Sequence, residues 1–285
     1  MKLISLPFSL VYTIFKTVWI HFFGSGPKTP QWSLPFHIVV FTVKAYFQGF
    51  VGVKLSTFNK INNFLMQSKA FGCTTKYSTV PSKFRALSHE IVKGYNIELF
   101  GEYCLCEDDK WENSGELEIC HIVPNELKNS SLKKSFYFLH GGGFLFGHPS
   151  CYHYNLGKIA KSASVQVWAP NYRKAPKFSM LAIFEDLIAG YLYLTSKESD
   201  GGLEISPSDI VAGGDSAGGC IAAQLIHFLR DYKTLGQVSG AALWSPGLDF
   251  GAQQPSHKEN SPTDIMPNSP PEAIKITDNY SIRIQ

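Results

Sequence analysis

Residues 209–220 read Asp-Ile-Val-Ala-Gly-Gly-Asp-Ser-Ala-Gly-Gly-Cys, and few backbones accept that string. A short apolar run enters a Gly-Asp-Ser-Ala-Gly turn, and a helical stretch follows to about Asp231. A strand that turns tightly into a helix holds its serine in a strained conformation, with the hydroxyl exposed at the sheet edge. Gly214 and Gly218 flank Ser216 because a Cβ at either would collide with the crossing strand and helix. The helix N-terminus behind Ser216 offers free N–H groups and a partial positive charge to a developing oxyanion. Taken alone, the pattern also describes an ordinary glycine-rich turn.

Two further stretches remove that ambiguity. Ser135-Phe136-Tyr137-Phe138-Leu139 is an apolar strand that runs into His140-Gly141-Gly142-Gly143-Phe144, where three glycines leave the backbone amides unobstructed. Ser164–Ala169 is a strand that ends in Pro170-Asn171-Tyr172-Arg173-Lys174-Ala175-Pro176. His-Gly-Gly-Gly, Tyr-Arg-x-Ala-Pro and Gly-Asp-Ser-Ala-Gly-Gly, in this order, resemble the hormone-sensitive-lipase-like family of α/β-hydrolases. Trp244-Ser245-Pro246-Gly247-Leu248-Asp249 resembles the segment after that family's next strand, so the likeness runs from about Tyr95 to Asp249. With its hydrophobic leader, the chain looks most like the fungal membrane-bound steryl acetyl hydrolases.

The resemblance implies an α/β-hydrolase fold, a mostly parallel sheet with helices on both faces. It implies Ser216 as the nucleophile toward an ester carbonyl, with oxyanion donors at Gly142, Gly143 and Ala217. The supporting residues of the motifs are His140, Gly141, Gly214, Asp215 and Gly218. His140 precedes the glycines and is read as stiffening their loop by hydrogen bonding. Asp215 is read as a turn-stabilising acceptor whose side chain points away from that of Ser216, and Arg173 as a tie to Glu185 or Asp186.

A serine of this kind needs a base within hydrogen-bond reach and a carboxylate to orient it. In this fold the chain order is Ser, then Asp or Glu, then His. After Ser216 the histidines are His227 and His257. His227 lies eleven residues along the elbow helix, roughly 16 Å of axial rise, out of reach of the hydroxyl. His257 follows only Asp231 and Asp249 among the plausible acids and lies in a polar tail. The expectation is therefore a hydrolase core truncated after its sixth strand, without the triad acid and base, and with only faint activity.

Charge divides the chain. Residues 1–89 hold ten Lys or Arg and no Asp or Glu, whereas residues 90–285 hold 16 basic and all 23 acidic side chains, a net −7. Leu3–Phe23 is apolar enough to read as a membrane span, which needs about 20 residues, or as a signal-peptide core; a buried helix is the plain alternative. Phe36–Val51 reads as an amphipathic helix with Phe36, Val39, Val40, Val43, Phe47 and Phe50 on one face and His37, Lys44 and Gln48 off it. Such a helix either caps the site or lies at a membrane surface. The division expected is a hydrophobic, basic anchor or cap over 1–60, an incomplete hydrolase core over 61–250, and a polar, disordered tail over 251–285. The core's first strands are expected at Asn96–Cys106 and Glu116–Val123, with a helix at Met180–Leu194 and a further strand at Val238–Trp244.

The expected partners are a small apolar ester, sterol acetates by resemblance, and a membrane, that of the endoplasmic reticulum. Lysines after Phe23 favour a cytoplasmic domain, whereas the steryl-hydrolase likeness favours the lumen, where the sequons at Asn129 and Asn279 would matter. The lysines are spread among apolar residues, which argues against nucleic-acid binding. No cofactor motif is present, and the six cysteines lack zinc spacing, so no metal is expected. The competing class is a non-catalytic remnant or binding module that keeps the pocket without the base.

Overall fold

In a computed structural model, residues 2–27, 31–49, 55–100, 110–130, 133–248 and 254–260 are described. They fall into two compact units, one from residue 2 to Phe58 with 254–260, and one from Asn59 to Leu248.

The first unit pairs α1 (Lys2–Phe23) with α2 (Leu34–Gly49). His21 Nδ1 meets His37 Nδ1 at 3.1 Å between them. Phe8, Tyr12, Phe15, Trp19, Phe22 and Phe23 of α1 are exposed. The face of α2 departs from its sequence pattern. His37 and Val40 are buried while Phe36 and Val39 are exposed, because ring contacts from His37 to Trp32 and Phe41 and its bond to His21 draw the imidazole inward. The side chains of Phe47 and Phe50 lie outside the described residues. No described helix is both long and apolar enough to cross a membrane. A short helix at Pro255–Asn260 corrects the expectation that the tail is loop or disordered from 251 onward, and residues 251–253 and 261–285 lie outside the described residues.

The second unit opens with α3 (Leu55–Met66), of which it holds the part from Asn59, then β1 (Cys73–Thr79) and α4 (Ser82–Phe100). Both β1 and α4 correct the sequence reading. Residues 96–100, expected to begin a strand, continue α4, and Cys104 and Cys106 lie outside the described residues. Phe84, Arg85, Ser88 and Val92 of α4 are buried at helical spacing, so tertiary burial favours helix over the strand propensity of residues 96–100. The first strand is instead Cys73–Thr79, half exposed at the sheet edge.

The chain continues through β2 (Glu118–Pro124), β3 (Ser135–Leu139), α5 (His153–Ala163), β4 (Gln166–Pro170), α6 (Met180–Thr195), β5 (Ile210–Asp215), α7 (Ala217–Asp231) and β6 (Gly240–Trp244). The short helix at 255–260 is α8. The sheet order is β1-β2-β4-β3-β5-β6. The β3–β4, β3–β5 and β5–β6 pairs are parallel, and β1–β2 and β2–β4 are antiparallel.

Every residue of β3 and β4 is buried, as expected of central strands covered on both faces. Alternation sorts them: Tyr137, Leu139 and Trp168 join the core formed with α4, α6 and α7, whereas Phe136, Phe138, Val167 and Ala169 pack with Leu156 and Ala160 of α5. Ser179 caps α6, its Oγ accepting the Ala182 amide at 3.1 Å.

Candidate functional site

The register of β3 against β5 builds the site. Leu139 pairs with Gly214, so the glycine loop that leaves β3 starts beside the turn that leaves β5. At that turn Ser216 adopts φ 52°, ψ −122°, a backbone conformation that an L-residue holds at a cost of about 1–3 kcal/mol. Its amide donates to Trp244 O at 2.8 Å, so β6 braces the turn from the far side. The Ala217 amide begins α7, among the donors that helix geometry leaves without an intrahelical partner.

Close packing explains the glycines. A Cβ on Gly218 would lie 2.0 Å from Leu139 O and 2.6 Å from His140 O, and one on Gly214 would lie 2.2 Å from Leu139 O. Elbow helix and glycine loop therefore touch backbone to backbone. Gly142 adopts φ 121°, with Phe146 O where its Cβ would stand. Among the described residues, the Gly142 and Gly143 amides donate to no other protein group.

Asp215 points away from the serine and into the loop. Gly141 N–H donates to Oδ1 at 2.8 Å, and Tyr152 OH donates to Oδ2 at 3.1 Å. Burial raises the pKa of this carboxyl, and the bonds from Gly141 and Tyr152 oppose the rise. His140 is fully buried, with Nδ1 2.8 Å from Gly141 O, so the ring donates from that nitrogen. Nε2 is also buried and has no partner among the described residues. Burial above all, and then the nearby Lys174 charge, hold the His140 pKa well below its ordinary value, so the imidazole is neutral.

The Tyr-Arg-x-Ala-Pro turn braces the loop. Tyr172 OH donates to His140 O at 2.5 Å, and its ring stacks on the imidazole at 4.4 Å. The Ala175 amide donates to Phe144 O at 2.9 Å. Arg173 grips both acids considered for it, Asp186 at 3.0 Å through Nε and Glu185 at 3.1 Å through Nη2. Arg85 and His89 of α4 complete this buried cluster, bonding Asp186 and Glu185 respectively.

The structure thus brings together Ser216, Asp215, Gly141 and His140 with the loop glycines. It brings no histidine to the serine: among the described residues the Ser216 hydroxyl has no hydrogen-bond partner. His227 is exposed on α7, and the side chain of His257 lies outside the described residues. Tyr152 escaped the sequence reading, because a residue 63 positions before Asp215 carries no local signal of that contact. Cys73, Cys120, Cys151 and Cys220 are free thiols, and burial pushes Cys120 up to about 12.

Comparison with known proteins agrees with this geometry. Residues 136–280 match a family model described as alpha/beta hydrolase fold. Arylacetamide deacetylase of Bos taurus is 30% identical over 52% of this chain and 38% of its own length. Tuliposide A-converting enzyme 2, chloroplastic, of Tulipa gesneriana is 31% identical over 50% of this chain and 38% of its own length. The chain therefore spans well under half of these relatives. Among solved structures, EstE5 soaked with p-nitrophenyl butyrate superposes with a TM-score of 0.59 at 21% identity, covering 82% of this chain and 63% of that one. Bacterial Heroin Esterase superposes with a TM-score of 0.56 at 21% identity, covering 77% and 58%. The chain belongs to the α/β-hydrolase fold family, in its hormone-sensitive-lipase-like branch.

Proposed function

We propose that this chain carries the nucleophile and oxyanion half of a carboxylic ester hydrolase. Ser216 attacks the ester carbonyl, and the amides of Gly142, Gly143 and Ala217 receive the developing oxyanion. Removal of one such donor costs about 2.7–4 kcal/mol of transition-state stabilisation. The observation that carries this reading is the positive-φ serine between β5 and α7, joined to the glycine loop through Asp215 and Gly141.

The proposed substrates are acetyl esters of apolar alcohols, sterol acetates among them. The names of two relatives support an acetyl group, arylacetamide deacetylase and the acetyl-hydrolase of Streptomyces hygroscopicus. The exposed aromatic residues of α1 and the acid-free first 89 residues support a membrane-associated protein. Flotation with phosphatidylserine vesicles tests that part, and failure to float refutes it.

The second reading is a binding module without turnover, favoured by the unpartnered Ser216 hydroxyl among the described residues. Oxyanion hole and binding alone leave about 10³–10⁴-fold acceleration over water when triad members are missing. One experiment separates the two readings. The purified chain is incubated with p-nitrophenyl acetate, p-nitrophenolate release is followed, and the acetylated residue is mapped by mass spectrometry. Acetyl-Ser216, lost in Ser216→Ala together with the release it accounts for, supports the hydrolase. Release with no acetyl group on Ser216 overturns Ser216 as nucleophile, and ester binding without release selects the binding module.

A further inference from the structure

A second serine–imidazole–carboxylate arrangement stands away from the elbow, with β4 and β3 between its strand and β5. His148 follows the glycine loop, and Glu118 opens β2. His148 Nδ1 lies 3.1 Å from the Ser150 amide nitrogen and 2.8 Å from Ser150 Oγ. A backbone amide can only donate, so Nδ1 bears the lone pair and the Ser150 hydroxyl also donates to it. The neutral ring then carries its proton on Nε2, which faces Glu118 Oε1 at 3.0 Å. Both neighbours set the same tautomer.

Capping the turn at 149–152 requires only the amide bond. The hydroxyl and carboxylate bonds go beyond it. Asn63, Ser68, Tyr77, Glu118, His148 and Ser150 line a cavity of about 440 Å³. Asn63 Oδ1 accepts from Cys151 Sγ at 3.8 Å, which ties this wall residue to the residue after Ser150. His148 and Glu118 are 26% and 42% exposed, open enough for a dissolved reagent to reach. Burial lowers the His148 pKa against the opposing effect of Glu118, so the ring is an unprotonated acceptor at neutral pH.

We propose that Ser150 is a second nucleophilic centre, with His148 as its general base and Glu118 as the carboxylate that orients the ring, reacting with small activated acyl and phosphoryl esters. Ser150 Oγ bonds to the acyl carbon while its proton passes to His148 Nδ1. The imidazolium, held through Nε2 by Glu118, returns that proton to the leaving alkoxide as the ester C–O bond breaks. Water then attacks acyl-Ser150, giving one proton to Nδ1. Ser150 recovers it as the carboxylic acid departs. The site uses none of the elbow residues and does not depend on the role of Ser216.

The test is reaction of the full chain, and of Ser216→Ala, with diisopropyl fluorophosphate, followed by peptide mapping. The phosphoryl adduct is expected on Ser150 in both proteins, forming at a rate that rises with pH through the His148 ionisation to a plateau. Loss of the base lowers that rate about 100-fold in His148→Gln, and Glu118→Gln is also slower. Thermal melts report whether each variant folds; should His148→Gln unfold, Glu118→Gln and the pH profile decide. An adduct on Ser216 with none on Ser150 supports the elbow and overturns this proposal, as does no adduct anywhere. Ser150 labelling at an unchanged rate in a folded His148→Gln also overturns it.

Discussion

The Asp215 carboxylate accepts the Gly141 amide at 2.8 Å, so the residue before the elbow serine holds the first glycine of the facing loop. Tyr152 secures the other carboxylate oxygen. One side chain thus couples two motifs that are 74 residues apart. Asp215→Ala removes both bonds and leaves the Gly141 amide without its acceptor. The expected loss is about 2–3 kcal/mol in urea unfolding, against about 1 kcal/mol for Tyr152→Phe, which removes a single donor.

Neighbouring glycines of the loop respond differently to a methyl group. Gly143 has φ 59° and open space where its Cβ would stand, so Gly143→Ala pays only backbone strain of about 1–2 kcal/mol. At Gly142 the methyl would meet Phe146 O at 2.1 Å in addition to an unfavourable φ of 121°. Gly142→Ala is expected to destabilise by about 3 kcal/mol or more. Comparable thermal melts of the two variants would contradict the geometry.

The Arg173 cluster is buried on both sides, with Arg173 at 4% exposure, Glu185 at 2% and Asp186 at 1%. Arg173→Met leaves the two carboxylates with less compensation, which costs about 3–5 kcal/mol where a buried pair is broken from one side. The loss should be several times that of an exposed change such as Arg230→Met, read by denaturant unfolding of each variant.

Stability should depend on pH through His140. Its folded pKa is depressed, so the native state binds fewer protons than the unfolded one below the ordinary value near 6.5. The stability from this group is fully present above about 6.5. It is lost as pH falls from there, at up to about 1.4 kcal/mol per pH unit. His140→Gln should flatten that slope in unfolding curves between pH 6.5 and 5, and an unchanged slope would refute the buried neutral ring.

The parts legible in the sequence are those where local spacing makes a stereochemical demand. A glycine on either side of Ser216, three glycines after an apolar strand, and the Tyr-Arg-x-Ala-Pro turn each specify backbone that few other residues tolerate. The central strands were equally readable, because continuous apolar runs such as 135–139 belong between two covered faces. Where local demand is weak, the reading failed. Cys73–Thr79 carries polar and β-branched residues without a clean alternation, and becomes an edge strand only by pairing with β2. Residues 96–100 favour a strand by composition, yet α4 continues through them while burying Phe84 and Val92 upstream.

The amino-acid sequence alone determined the elbow, the glycine loop and the family, since each rests on dihedral angles and close approaches set by a few adjacent residues. Tertiary structure alone decided that Asp215 meets Tyr152 and Gly141, that Arg173 takes two acids at once, and that His148 lies between Ser150 and Glu118. Most of these contacts join segments brought together by strand register and helix packing, and Ser150, a near neighbour of His148, meets it through the short turn that Pro149 opens. Register depends on how the whole sheet buries its apolar faces, which no short stretch of sequence encodes.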